Sequence, residues 1–134
     1  VKDVDFGNGI IYVRDGKGGK DRTTLFPENI AAELARHIQR TLEIHQQDRD
    51  EGFGEVYLPE ALARKYKSAA AESGWQYVFS AKNRSIDPRS GKEMRHHVPE
   101  SGLQKALKRA VRMAGIDKRA TVHTLRHTFA THLL

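Results

Sequence analysis

The chain has 134 residues, of which 38% are hydrophobic and 30% charged, and its formal net charge is +6. That length suits one domain with one hydrophobic core, and no apolar run is long enough to span a membrane. The lack of cysteine excludes disulfides, thiolate metal sites and cysteine nucleophiles, and fits a reducing cytoplasm. The basic balance favours a polyanionic partner, with a solvated basic surface as the alternative. Val1 is not an initiator methionine, so we interpret the chain as a piece of a longer protein.

The first 26 residues are predicted to form a small antiparallel sheet. Short β-branched and aromatic runs predict strands around 4–6, at 10–13 and at 23–26. The segment Asp15–Asp21 is rich in glycine and charge and predicts a hairpin turn between the last two strands.

Helices are predicted for most of the remaining chain. An apolar stripe predicts a first helix from Pro27 to about Gln47; its members are Ile30, Leu34, Ile38 and Leu42. A second helix is expected from Leu58 to Gly74, followed by a strand at 75–79 and a long basic loop or irregular hairpin over 80–98.

Two more helices complete the predicted fold. One begins near Pro99 and ends at Gly115, and the last begins near Thr124 and continues to Leu134. The chain is therefore predicted to be an α+β domain, mainly helical, with a small antiparallel sheet near the N-terminus.

A His-x-x-Arg pattern opens the last predicted helix. His123 and Arg126 are three residues apart, so their side chains lie on the same side of a helix start that already favours an anion. An imidazole donor and a forked guanidinium would strengthen a phosphate site there. The pattern alone favours a capped amphipathic helix with both side chains merely on the surface. A zinc site at His123 and His127 is a weaker alternative, since Thr124 stands where a His-Glu-x-x-His hydrolase needs glutamate.

The glycine-rich turn carries Lys17. Lysine is a compact cation that can donate a proton, and a flexible turn can bring it to a ligand. Alone, the segment favours an exposed basic turn, and it lacks the spacing of a Walker phosphate loop.

Together these motifs resemble those of one protein family. The string Leu125–Leu134, preceded by His123, resembles the second-arginine motif of tyrosine recombinases, and Gly16–Arg22 resembles their hairpin with the catalytic lysine. Four further segments resemble the insertion that distinguishes integron integrases, placed here at about 55–98; they are 58–66, 75–79, 87–91 and 95–97. The resemblance implies a partial catalytic domain over 1–134, with the family's first arginine before Val1 and its nucleophilic tyrosine beyond Leu134.

The resemblance also implies a reaction. Family members cut and rejoin DNA through a 3′-phosphotyrosine without a metal or other cofactor, and integron integrases insert and excise gene cassettes. Arg126 would clamp a non-bridging phosphate oxygen, His123 would donate to the phosphoryl group, and Lys17 would protonate the leaving oxygen. Because none of the four tyrosines follows the His-x-x-Arg helix, we expect the chain itself to be inactive. The alternative is a non-catalytic DNA-binding module or decoy.

The implied partners are double-stranded DNA and folded single-stranded sites with flipped-out bases, with a tetramer of the full-length protein, a bacterial cytoplasmic location and no membrane. Trp75 would provide a stacking platform, and Pro88, His96 and His97 would complete a pocket. Core packing of Trp75 and an exposed loop pair at His96 and His97 are the alternatives. The other expected DNA contacts are basic side chains: Lys20, Arg22, Arg95, Lys105, Lys108, Arg109 and Arg112.

Overall fold

The computed structural model describes residues 1–16 and 18–132 and divides the chain into two compact units, Val1–His97 and Val98–Leu134. Helices predominate, and a small antiparallel sheet lies near the N-terminus, which confirms the predicted α+β fold class. Among the described residues, no helix is both long enough and apolar enough to cross a membrane.

The sheet of the first unit has the strand order β1 (Val4–Asp5), β2 (Ile10–Val13) and β3 (Arg22–Leu25), all antiparallel. Ile11 pairs with Val4 on one side and Thr24 on the other, so the three predicted strands form one antiparallel meander.

Helix α1 (Glu28–Asp50) begins one residue after Pro27 and ends three residues later than predicted. The stop is set by Gly52, at φ +88°, because the N–H groups of Gly52 and Phe53 donate to the carbonyls of Arg49 and Asp48 in a Schellman motif. The predicted apolar stripe is only partly buried, since Ile30 is 42% exposed. The buried side of α1 consists mostly of polar residues: Ile38, Thr41, His45 and Asp48.

The predicted second helix was too long. Helix α2 covers only Glu60–Lys65, and two 3₁₀ turns at Ala69–Ala71 and Ser73–Trp75 replace the rest. The Gln76 amide explains the difference, because it donates to the carbonyls of Gly54, Ala70 and Glu72, at 3.3, 3.2 and 3.1 Å. The carbonyls of Ala70 and Glu72 therefore accept from the Gln76 side chain, which lies outside the two 3₁₀ turns, and not from the N–H groups of a continuing helix.

The predicted strand at 75–79 was also wrong. In this segment the Val78 carbonyl faces α1 instead of a neighbouring strand. It accepts from the Thr41 hydroxyl at 3.1 Å, and the His37 ring Nε2 lies 2.8 Å away. Side chains of α1 thus provide the hydrogen-bond partners that the Val78 carbonyl would otherwise find in a neighbouring β-strand.

Of the two alternatives predicted for 80–98, a long basic loop or an irregular hairpin, the structure has the irregular hairpin. Its strands are β4 (Ser85–Ile86) and β5 (Glu93–Met94), and a single bridge joins Ser80 to His97. The core of the first unit is small, and its buried apolar residues are Phe26, Ile38, Val56, Ala69 and Met94.

The second unit consists of α3 (Glu100–Met113) and α4 (Val122–His132), which contact each other. As predicted, Gly115 ends α3, at φ +63° and again in a Schellman motif. Helix α4 begins two residues earlier than predicted, because Thr121 caps it: the Thr124 hydroxyl accepts from the Thr121 N–H at 3.0 Å, and the Thr124 N–H lies 3.4 Å from the Thr121 hydroxyl. The predicted end at Leu134 lies outside the described residues.

Candidate nucleic-acid interface

The positive charge of the chain is concentrated in the second unit. Residues 98–134 hold seven Lys and Arg against two Asp and Glu, which is +5 of the total +6. Every ion pair among the described residues lies in Val1–His97, and none lies in the described part of the second unit. In the described part of the second unit, the Lys and Arg side chains therefore form no ion pair with a carboxylate.

One face of α3 carries four of these cations: Lys105, Lys108, Arg109 and Arg112. Their spacing of three, four and seven residues places them in one row along the helix, and all four are exposed. A row of exposed cations at this spacing suits the phosphates of a nucleic-acid backbone. We call this row the basic stripe.

The first turn of α4 holds His123 and Arg126. Both side chains are exposed, and neither makes a side-chain hydrogen bond or ion pair within 98–132. The His123 ring stacks on the ring of His127, with centroids 6.1 Å apart and planes inclined by 27°. Since the helix start also offers unpaired backbone N–H groups and positive dipole charge, the turn can bind an anion.

A cavity of about 480 Å³ inside the second unit links the basic stripe to this turn. Its apolar wall includes Leu107 and Val111, its cations are Lys108, Lys118 and Arg119, and His123 also lines it. Sequence reasoning missed Lys118 and Arg119. The available signal was the position of this basic pair, just before the cap of the His-x-x-Arg helix.

The hairpin turn of the first unit holds Lys17, which lies outside the described residues, so its catalytic role stays a prediction. The nearby Lys20 and Arg22 are exposed. Arg14 and Asp21 close the base of the turn at 3.3 Å, and the Asp15 N–H donates to Asp21 at 2.9 Å. These contacts lower the pKa of Asp21, with the backbone donor as the largest cause.

Trp75 is half-buried. Its ring lies 5.9 Å from that of Tyr66, and the Lys2 ammonium lies 4.5 Å from its centroid. A wide groove beside α2 is lined by Trp75, Tyr66 and Tyr77. An aromatic wall with a cation above it suits stacking of a nucleobase.

The hairpin of β4 and β5 places the other predicted pocket residues. Pro88 is exposed at its turn, and the His97 ring meets the edge of Tyr77 at 5.3 Å. The His96 ring is mostly covered, and its Nε2 is buried without a hydrogen-bond partner in the described part of the chain. That nitrogen lies 3.9 Å from an oxygen of Asp87.

Arg95 has a different environment from the basic stripe. Its side chain is 16% exposed, and it binds Asp48, which is 4% exposed, through Nε at 2.6 Å and Nη2 at 2.8 Å. Its third nitrogen donates to the carbonyls of Ala81 and Lys82. The Arg95 hydrogen bonds are the largest cause that lowers the pKa of Asp48, and Arg84 adds to the shift. The guanidinium is thus engaged inside the first unit, and its predicted contact with DNA stays a prediction.

The whole chain, residues 1–134, matches the phage integrase family, and it belongs to this family of tyrosine recombinases. It is 49% identical to a protein named integrase/recombinase from Escherichia coli and to one of the same name from Pseudomonas aeruginosa, over 134 residues that form 40% of each relative. It is 28% identical to tyrosine recombinase XerA of Pyrococcus furiosus, over 33% of that protein. The chain therefore spans less than half the length of these curated relatives.

Proposed function

We propose that the full-length protein is a site-specific DNA recombinase of the integron integrase type. The observation that carries this proposal is the first turn of α4, where His123 and Arg126 are exposed beside a cavity lined with cations and form no ion pair within 98–132. Membership of the phage integrase family supports the same reaction class.

In the proposed reaction, a tyrosine oxygen attacks a DNA phosphorus, and the bond to the 5′-oxygen breaks. Arg126 holds a non-bridging oxygen of the phosphorane-like transition state with two N–H groups, and His123 donates to the phosphoryl group. Lys17 gives its proton to the departing 5′-oxygen. The new 5′-hydroxyl then attacks the phosphorus of the phosphotyrosine on a partner strand. The bond between this phosphorus and the tyrosine oxygen breaks and the tyrosine is restored, so the number of phosphodiester bonds is conserved.

We assign the nucleophile to none of the tyrosines in this chain. None of the four follows the His-x-x-Arg helix in the sequence, and Tyr57, Tyr66 and Tyr77 lie beside Arg89, Trp75 and His97, respectively. Tyr12 lies within the ladder of β2.

The proposed substrates are cassette sites, both duplex and folded single strands with extruded bases. In this proposal an extruded base packs against Trp75, which is half-buried in the wall of a groove, and against Pro88 and His96, which belong to one hairpin. The basic stripe is proposed to follow the backbone of the flanking duplex.

A covalent-adduct experiment tests the reaction. The full-length protein would be incubated with a folded single-stranded hairpin that bears one extrahelical base, and with a fully paired control. We expect a protein–DNA adduct on a denaturing gel, more abundant with the extrahelical base. Binding without any adduct would instead identify a non-catalytic DNA-binding module.

A sulfur substitution tests the role of Lys17. Replacing the 5′-bridging oxygen by sulfur gives a leaving group that needs no proton, so it should restore cleavage to a Lys17→Ala variant. No rescue would show that Lys17 is not the general acid.

A further inference from the structure

Asp87 is fully buried, at 0% exposure, although it lies in the turn of an exposed hairpin. One carboxylate oxygen accepts from Arg89 through Nε at 3.0 Å and Nη2 at 2.8 Å. The other accepts from the Ser90 N–H at 2.9 Å and the Ser90 hydroxyl at 2.8 Å. Four donors from two side chains and the backbone thus converge on one carboxylate.

The same residue also fixes the backbone of the turn. The Asp87 N–H donates to the Lys92 carbonyl at 2.8 Å, and the Asp87 carbonyl accepts from the Gly91 N–H at 2.7 Å. The Arg89 guanidinium stacks over the Tyr57 ring, 3.5 Å from its centroid. Asp87 therefore connects the turn that bears Pro88 to the segment that bears Tyr57.

His96 lies on the other side of this carboxylate. Its buried, unpartnered Nε2 is 3.9 Å from the Asp87 oxygen that binds Arg89, which is too long for a hydrogen bond but within the range of a charge interaction. A buried polar atom without a partner is uncommon and calls for a reason. A small rotation of the ring toward Asp87 would satisfy it.

We propose that Asp87 is the positioning residue of the base pocket, holding Pro88 and His96 at a fixed separation and accepting the His96 Nε2–H when a base packs on the ring. This inference rests on the proposed function, because the pocket is the one proposed above for an extruded base. Asp87 acts through its neighbours, and its carboxylate is covered and makes no contact with the base.

Selectivity of binding tests the proposal in the full-length protein. The readout is the ratio of the Kd for a fully paired hairpin to that for the same hairpin with one extrahelical base. Asp87→Asn keeps the shape and removes the charge, so we expect the ratio to fall about tenfold, the effect of losing hydrogen bonds to a charged group. Affinity for the paired hairpin should change less than about twofold. A general loss of stability would weaken binding to both DNAs and leave the ratio unchanged.

Two further variants calibrate this result. Glu93→Gln removes an exposed partner of Arg84 on the same hairpin and should leave the ratio within about twofold of wild type. Arg89→Lys keeps the positive charge beside Asp87 but loses the fork and the stacking on Tyr57, and should lower the ratio by an intermediate amount.

Amide exchange measured without DNA tests whether Asp87 holds the turn, independently of the substrate proposed above. The Ser90 amide should exchange with solvent about tenfold faster in Asp87→Asn, as expected for a lost charge-assisted hydrogen bond. A wild-type ratio near one would overturn the proposed substrate and the pocket with it, even if this amide behaved as expected. A wild-type ratio well above one that persists in Asp87→Asn would overturn the role of Asp87 alone.

Discussion

Three arginines of the first unit and two of the second have opposite environments. In the first unit, Arg84, Arg89 and Arg95 each bind a buried carboxylate within 3 Å. In the second unit, Arg109 and Arg112 are exposed, and the described residues offer them no ion pair. Arginines that bind a buried carboxylate thus stabilise the fold of the first unit, whereas these two arginines of the second unit, which have no ion pair among the described residues, can bind an external anion.

This difference bears on how a basic protein is interpreted. Nearly all of the net charge belongs to residues 98–134, because the first unit has 16 Lys and Arg against 15 Asp and Glu. Arg84 alone bridges Asp48, Glu51 and Glu93, each within 2.9 Å. The location of unpaired charge therefore says more about a nucleic-acid partner than the total charge does.

The largest expected effect concerns an unpaired arginine of the second unit. Arg126→Ala in the full-length protein should reduce DNA cleavage about 10²–10³-fold, because the clamp strengthens as charge develops on the phosphate. Binding should weaken far less. Adduct formation and Kd measured side by side check this, with Arg36→Ala on α1 as the exposed control. Equal losses in cleavage and binding would assign Arg126 to ordinary phosphate contact.

The next effect concerns an internal arginine. Arg95→Met should lower the free energy of unfolding by about 3 kcal/mol, because it leaves the buried Asp48 carboxylate with only part of its charge partners. Urea denaturation measures this. The control Arg14→Met removes ion pairs that are largely exposed and should cost less than about 1 kcal/mol. Similar values for both variants would contradict the distinction between internal and external arginines.

A matched pair of double variants sharpens the same comparison at the level of binding. Arg109→Gln with Arg112→Gln should reduce the salt dependence of DNA binding by a slope of about 1.8, if each side chain contacts one phosphate. Arg36→Gln with Arg40→Gln changes two exposed arginines on α1 and should alter the slope little. Equal changes of the slope in the two double variants would show that the basic stripe binds DNA no more than other exposed arginines do.

The smallest effect is a dependence on pH. Arg89 is the largest cause that lowers the pKa of Asp87 to about 2, from an ordinary value of 3.8. As the pH falls through this interval, the unfolded chain takes up the proton first, so the stability contributed by Asp87 above pH 4 is lost between about pH 4 and 2. Thermal melts of Asp87→Asn should decline less steeply there than those of wild type. Parallel curves would argue against a charged Asp87 in the folded state.

Local signals predicted much of this structure. The N-terminal hairpin, α3 and its stop at Gly115 follow from turn chemistry and helical periodicity within about 20 residues of sequence. The His-x-x-Arg turn was located for the same reason, since His123 and Arg126 are three residues apart at one helix start, although the cap by Thr121 was not predicted.

Contacts between distant segments could not be predicted in this way. Asp48 and Arg95 are 47 positions apart, and no pattern in either segment indicates that they meet. The same holds for the Gln76 amide and the Gly54 carbonyl, which are 22 positions apart. Their hydrogen bond is one of those made by Gln76 where the sequence had predicted the end of a helix and a strand. The buried side of α1 was missed because its polar members, such as His45, are unexpected in a core.

The three hydrogen bonds of the Gln76 amide also matter for interpreting sequence variants. Glutamine to glutamate counts as a mild exchange in most similarity scores, because size and polarity are kept. At this position the amide nitrogen lies within 3.3 Å of three carbonyl oxygens, so a carboxylate there would bring an acceptor against three acceptors. Deep mutational scanning of this segment should therefore show a preference for side chains that donate, with glutamate depleted although it resembles glutamine most closely in shape.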